Sequence, residues 1–178
     1  NEAGFLATEV KLELIARLIG CGLRCIEATA FVSPKWVPQM ADAAELYARL
    51  PTGLDCRFPV LVPNLQGYRR AMDAGVREIA VFSAASEAFS LKNTNAGIDD
   101  GLIRIREVCE HAHHDGIAVR GYVSTVLGCP YQGKVDVGTV VDVATRLYAM
   151  GCYEISLGDT IGTGTPKAAR ATLLAVAG

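Results

Sequence analysis

Two carboxylates near the ends of apolar runs are the first candidates for chemistry. Glu27 lies in the apolar run 23–30, and Asp159 lies in Gly158-Asp159-Thr160-Ile161-Gly162-Thr163-Gly164. A carboxylate placed in an apolar strand is costly unless it is paired or binds something. An ion pair with Arg120 and a role in proton transfer would each satisfy Glu27. For Asp159, a turn in which the carboxylate bonds its own backbone competes with a place in a site. The Gly162-x-Gly164 spacing just ahead of a helix start also suits the close approach of a phosphate or carboxylate.

Other reactive residue types carry less. His111 and His114 stand at i, i+3, a spacing that can converge on a metal ion, but the group His111-Ala112-His113-His114 closes a helix, where histidines complement the helix dipole. They read as surface residues. The six cysteines, Cys21, Cys25, Cys56, Cys109, Cys129 and Cys152, contain no C-x-x-C pair, which excludes a zinc ribbon or a thioredoxin-type motif. Free thiols are expected, with Cys25 and Cys152 acting as small apolar side chains in their runs. Cys129, in Gly128-Cys129-Pro130-Tyr131, has no histidine beside it and reads as structural. Neither a G-x-S-x-G elbow nor a P-loop occurs, which argues against a serine hydrolase or an NTPase.

These residues must be held by an alternation of strands and helices. Short β-branched runs at 23–30, 57–62, 77–83, 117–125 and 153–157 alternate with helix-period stretches at 8–19, 41–50, 64–74, 99–114 and 137–150 and one from Pro166. Gly20, Gly22, Gly75, Gly116 and Gly151 fall where helices should stop, and Thr165-Pro166 reads as an N-cap with proline at N1. Asp99 or Asp100 is the expected cap of the helix at 99–114. Such alternation implies parallel βαβ units. The strand starts at 23 and 153 give a pitch of about 32 residues, so eight units would take about 260, near the ~250 of a (β/α)₈ barrel. A doubly wound open sheet expects a glycine-rich turn after its first strand, and Thr29-Ala30-Phe31-Val32-Ser33-Pro34 is nothing of that kind.

In such folds the chemistry gathers at the carboxyl ends of the strands. Side chains alternate across a strand, so Cys25, Glu27 and Thr29 share one face while Ile26, Ala28 and Ala30 take the helix side. By the same rule Arg120, Tyr122 and Ser124 form one polar set, and Glu154 and Ser156 another. Asn64 and Thr160 follow their strands directly.

Composition sets the outer bounds. The chain has 178 residues, 51% hydrophobic and 20% charged, with a net charge of −2. That supports a sizeable core and argues against disorder, a nucleic-acid-binding arm or a basic membrane patch. Apolar runs of four to eight residues are too short to span a bilayer, and no signal peptide opens the chain. The expectation is one partial barrel domain over 1–178, cut at both ends.

The run Ile26-Glu27-Ala28-Thr29-Ala30-Phe31-Val32-Ser33-Pro34-Lys35-Trp36-Val37-Pro38-Gln39-Met40-Ala41-Asp42 closely resembles the 3-hydroxy-3-methylglutaryl-CoA lyase family. The likeness continues through Val62-Pro63-Asn64, the segment 80–87, Tyr122-Val123-Ser124, Gly128-Cys129-Pro130-Tyr131 and Ser156-Leu157-Gly158-Asp159-Thr160-Ile161-Gly162, covering essentially the whole chain. The resemblance implies a TIM barrel, of which this chain carries about strands two to six. It also implies a Mg²⁺- or Mn²⁺-dependent retro-Claisen cleavage of the acyl-CoA to acetyl-CoA and acetoacetate, as in leucine breakdown and ketone-body formation. A related synthase condensing acetyl-CoA with a 2-oxo acid, or a non-catalytic barrel fragment associating through open sheet edges, is the alternative.

Carried over residue by residue, Glu27 and Asp159 match catalytic positions, and Ser156 and Thr160 match pocket residues. Thr29, Asn64 and Arg120, taken from their places on or after the strands, complete the expected substrate-binding set. Ala30 replaces the serine usual there. The family opens with Arg-Asp-Gly-Leu-Gln-Asn-Glu, of which Asn1-Glu2 match the end. Its metal-binding His-x-His and catalytic cysteine fall beyond Gly178, so no direct metal ligand is expected here and the chain alone should be inactive. Further expectations are an acyl-CoA substrate, no nucleic-acid or membrane partner, a homo-oligomer in the full-length form, and a cytoplasmic (bacterial) setting with a mitochondrial matrix as the alternative.

Overall fold

The computed structural model describes residues 4–178; Asn1 and Glu2 lie outside them. In chain order the elements are α1 (Thr8–Gly20), β1 (Thr29–Ala30), a 3₁₀ turn (Pro38–Met40), α2 (Ala43–Ala48), β2 (Val60–Leu61), α3 (Leu65–Asp73), β3 (Glu78–Ala84), α4 (Glu87–Thr94), α5 (Ile98–His114), β4 (Ala118–Ser124), α6 (Val137–Ala149), β5 (Glu154–Leu157) and α7 (Pro166–Ala177). The strands follow the order β1-β2-β3-β4-β5 in a five-stranded sheet. β1 on β2, β2 on β3 and β4 on β5 are all parallel. Contacts group the chain into two compact units, one running through Ala80 and the other from Val81 to Gly178.

In the first unit, Ile15 of α1, Leu46 of α2, Ile26 and Leu50 form a buried cluster, with Ala28 and Phe58 packed against it. Burying each of these large aliphatic side chains is worth about 1.5–3 kcal/mol. A largely buried ion pair fastens α1 to the start of α2: Lys11 Nζ lies 2.7 Å from Asp42, whose other oxygen accepts the Thr8 hydroxyl at 2.9 Å. In the second unit, Val119 and Val123 are buried on β4. α5 buries Leu102, Ile105, Val108, Cys109 and Ala112, and α6 buries Val140, Val143, Ala144 and Leu147, the spacing of one helical face each. Both helices pack on β4. Gly121 leaves room for α6 and β5 alike, because a Cβ there would lie 3.4 Å from Leu147 Cδ1 and 3.0 Å from Ile155 Cδ1.

Several expectations change in detail. The strands expected over 23–30 and 57–62 are regular for two residues each. Pairing continues towards Cys25 through Ala28 N–H to the Pro59 carbonyl (3.1 Å) and Ile26 N–H to the Arg57 carbonyl (3.0 Å). Pro59 has no N–H to return, so the ladder is interrupted there. α1 runs through Gly20 and stops at Gly22, whose φ of 93° lets Leu23 N–H reach back to Leu18 O at 3.2 Å. α4 was not expected, since its eight residues lack an apolar face; Ser86 caps it by accepting Phe89 N–H at 3.1 Å.

The cap of α5 is neither Asp99 nor Asp100. Gly97 is the N-cap residue, and the Glu87 carboxylate accepts Ile98 N–H at 3.1 Å from α4. A side chain from another element does the work that sequence reasoning gave to a local aspartate. Thr165 caps α7 as expected, accepting Ala168 N–H at 3.2 Å ahead of Pro166.

Candidate functional site

In the first unit the site residues follow the strands. Ile26 is buried and Ala28 half-buried against the helices, while Glu27, on the alternate face, is exposed. Thr29 is buried, and its hydroxyl lies 3.7 Å from Met40 Sδ, so the segment after β1 folds back over the strand end. Asn64 opens α3: its side chain accepts Gly67 N–H at 2.9 Å, which makes it an N-cap. Gly67 is buried where a Cβ would lie 2.5 Å from the Phe31 carbonyl oxygen, so α3 sits directly against the chain leaving β1.

In the second unit, β4 and β5 present one polar face. Arg120 is in register with Glu154 and Tyr122 with Ser156. The Arg120 guanidinium lies 2.5 Å from Glu154 and 2.5 Å from the Tyr122 hydroxyl, and it stacks over the Tyr122 ring at 4.8 Å. The hydrogen bond that Arg120 donates to Glu154 holds the Arg120 pKa above its ordinary value, against the opposing effect of burial. Arg120 therefore spends its charge beside the first residue of β5, four residues below Ser124 at the carboxyl end.

Beyond β5 the loop closes on Asp159. Its carboxylate accepts Gly164 N–H at 2.8 Å and Thr163 N–H at 3.3 Å, the backbone-bonding turn that its sequence setting allowed. The Thr160 hydroxyl accepts Thr125 N–H at 2.7 Å, tying the end of β5 to the end of β4. Asp159 and Gly164 also line a cavity of about 420 Å³ with Leu127, Leu157, Ala169 and Leu173. Thr125 closes the run expected over 117–125. It is fully buried with φ of 62°, and its hydroxyl donates to the Ser124 carbonyl at 2.6 Å. A β-branched residue in that region is strained by about 1–3 kcal/mol, a feature concentrated at functional strand ends and invisible in a sequence.

The reactive groups set aside earlier are also placed. Cys129 is buried, with the Ser86 hydroxyl 2.9 Å from its Sγ and the N–H groups of Tyr131 and Gln132 at 3.4 and 3.5 Å. Burial pushes its thiol up, but the Ser86 hydroxyl and the backbone N–H groups of Gln132, Tyr131 and Phe89 outweigh that and leave it below the ordinary value. Cys25, expected to pack as a small apolar group, is exposed because its side chain lies on the face away from the helices; Cys152 is buried. All three histidines are exposed and separately engaged: His111 with the Glu107 carbonyl, His113 with the Gly151 carbonyl, His114 with Asp115. Among the described residues no three His, Cys, Asp or Glu side chains gather as a metal site requires. The described residues do not by themselves fit a metal. No helix among the described residues is long and apolar enough to cross a membrane.

A parallel sheet whose strands alternate with helices, with polar side chains at the strands' carboxyl ends, defines the class: part of a barrel of the TIM type. Residues 1–177 match the HMGL-like family model, and the chain belongs to that family. It is 53% identical over 176 residues to the mitochondrial hydroxymethylglutaryl-CoA lyase of Bos taurus, covering 99% of this chain and 54% of that protein. It is equally similar (53% over 176 residues, 99% and 51% covered) to the cytoplasmic 3-hydroxy-3-methylglutaryl-CoA lyase of Mus musculus. The crystal structure of the HMG-CoA lyase from Brucella melitensis superposes with a TM-score of 0.94 at 50% identity, covering 99% of this chain and 62% of that one. The chain thus spans about half the length of the curated relatives it matches.

Proposed function

We propose that this chain is the greater part of the barrel of a divalent-metal-dependent carbon–carbon lyase that cleaves 3-hydroxy-3-methylglutaryl-CoA to acetyl-CoA and acetoacetate. The observation that carries the reading is the 53% identity to a hydroxymethylglutaryl-CoA lyase, sustained over 176 residues. The polar strand ends described above support it.

In this reading the tertiary hydroxyl loses its proton, the adjacent C–C bond breaks, and the thioester enolate is protonated. Glu27 and Asp159 are the carboxylates proposed to act on the hydroxyl proton and the substrate. Thr29, Ser156 and Thr160 are proposed to hydrogen-bond the acyl group. Asn64 and Arg120 contribute by positioning, through the α3 cap and the Glu154 pair. A divalent metal, which the described residues of this chain do not hold, would supply polarisation of substrate oxygens.

The test is a chimera in which residues 1–178 replace the matching segment of a full-length bacterial relative. Acetoacetate release from hydroxymethylglutaryl-CoA at a rate close to the parent's, lost with Glu27→Gln, is the expected result. The 178-residue chain alone is expected to release none. A folded chimera that instead condenses acetyl-CoA with a 2-oxo acid would overturn the reading in favour of a synthase.

A further inference from the structure

Cys109 and Cys152 are two thiols, each 1% exposed, that the proposed cleavage does not use. They stand far apart in the sequence and meet in the fold. Cys109 lies on the buried face of α5 with Ile105, Val108 and Ala112, and α5 packs on β4. Cys152 lies two residues ahead of β5, and its N–H donates to the Leu147 carbonyl at 3.3 Å as the chain leaves α6. Gly121 of β4 makes room for that sulfur, because a Cβ there would lie 3.3 Å from Cys152 Sγ. The two thiols are hydrogen-bonded to each other, Cys109 S–H donating to Cys152 Sγ.

That bond gives the two sulfurs unequal parts. It holds the Cys109 thiol well above its ordinary value, with burial and the Glu110 carboxylate acting in the same sense, so Cys109 keeps its proton. The same bond lowers Cys152 against the opposing effect of burial, so Cys152 is the sulfur that ionises and attacks. Cys152 is also shallow. Its neighbours Gly151 and Tyr153 are exposed, and Gly151 turns there with φ of 86°. A small opening of that turn admits a water-sized oxidant.

We propose that Cys109 and Cys152 are a reversible oxidation site, which hydrogen peroxide closes to an intramolecular disulfide. The Cys152 thiolate attacks one peroxide oxygen, the O–O bond breaks, and the departing hydroxide takes up a proton as water, leaving a sulfenic acid. The Cys109 sulfur then attacks the Cys152 sulfur, and its proton leaves with the hydroxyl as a second water. Two thiols lose two electrons and two protons, and one peroxide becomes two waters. The new bond joins α5 to the start of β5 near the amino ends of β4 and β5, opposite Ser124 and Asp159. It closes a loop of about forty residues, and constraining so long a loop in the unfolded chain stabilises the fold. The inference is independent of the lyase reading.

The test treats the reduced 178-residue chain with hydrogen peroxide, blocks the remaining thiols with N-ethylmaleimide and maps the unreduced peptides by mass spectrometry. A peptide joining Cys109 to Cys152, two hydrogens lighter than its halves and released by dithiothreitol, is the expected result. The oxidised chain unfolds at a urea midpoint higher by about 1–2 M, and reduction removes the gain. Cys109→Ser leaves a Cys152 sulfenic acid that dimedone traps, whereas Cys152→Ala leaves Cys109 as a free thiol and gives no shift in the midpoint. The map of the wild-type chain decides the proposal even where a variant fails to fold. Recovery of both cysteines as free thiols, after the exposed Cys21 and Cys25 have been oxidised, would overturn it. So would a main product in which either buried thiol is joined to a different cysteine. A Cys109–Cys152 bond that leaves the midpoint unchanged or lowers it would overturn the stabilising role.

Discussion

Asp159 accepts the backbone N–H of Gly164 at 2.8 Å, so a proposed catalytic carboxylate is also the group that closes its own loop. The two roles separate by substitution. Asp159→Asn keeps an acceptor oxygen for one of the two N–H groups, whereas Asp159→Ala keeps none. The alanine variant should lose about 1 kcal/mol, the lower part of the range for bonds to a charged group because the loop is exposed. Hydrogen exchange at Thr163 and Gly164 should rise in that variant by about fivefold, the equivalent of that energy. In the chimera both variants should abolish acetoacetate release; activity retained by Asp159→Ala would remove Asp159 from the catalytic set.

Asn64 offers a similar separation. As the N-cap of α3 it accepts Gly67 N–H, so Asn64→Ala should cost about 1 kcal/mol in urea unfolding while Asn64→Asp costs little. If Asn64 acts by positioning, the aspartate variant also restores turnover in the chimera. Loss of turnover with both variants would point to direct contact with substrate.

Gly67→Ala should destabilise the chain by roughly 1–3 kcal/mol, although alanine is the better helix former. The new methyl would sit 2.5 Å from the Phe31 carbonyl oxygen, which is backbone and cannot turn aside. Unfolding in urea checks this, and a neutral or stabilising result would mean that α3 can shift away from β1 at little cost.

The Arg120–Glu154 pair is partly open to solvent, with 21% and 50% of the two side chains exposed. Glu154→Gln should therefore cost less than about 1 kcal/mol, and the cost should shrink further in high salt. Arg120→Met should cost more, because the guanidinium also stacks on Tyr122. Equal losses for the two variants, measured by urea unfolding at low and high salt, would argue that the stacking contributes nothing.

Cys129 supplies a pH signature. Its thiol is held below the ordinary value, so folding is favoured by its ionised form. The stabilisation is complete above the unfolded value near 8.5 and is lost as pH falls through the lower folded value. The stability difference between the wild type and Cys129→Ala should therefore widen as pH rises through that window. Ser86→Ala, which removes the hydroxyl bonded to Sγ, should flatten the profile. A difference independent of pH would mean that the thiol stays protonated.

What the residues determined alone is the local and periodic part of the structure. Alternation across a strand put Ile26 and Ala28 against the helices and Glu27 on the other face, because a period of two leaves no other choice. Thr165-Pro166 specified its helix start, because the cap and the helix it closes are neighbours in the chain. Only the tertiary structure decided what depends on groups distant in sequence. Glu87 caps α5 from another helix, Pro59 interrupts a ladder whose second strand begins about thirty residues earlier, and Thr125 holds a strained backbone because the Thr160 hydroxyl meets its N–H. A hydrogen bond between residues far apart in the chain has no periodicity to announce it, and only folding brings its donor to its acceptor.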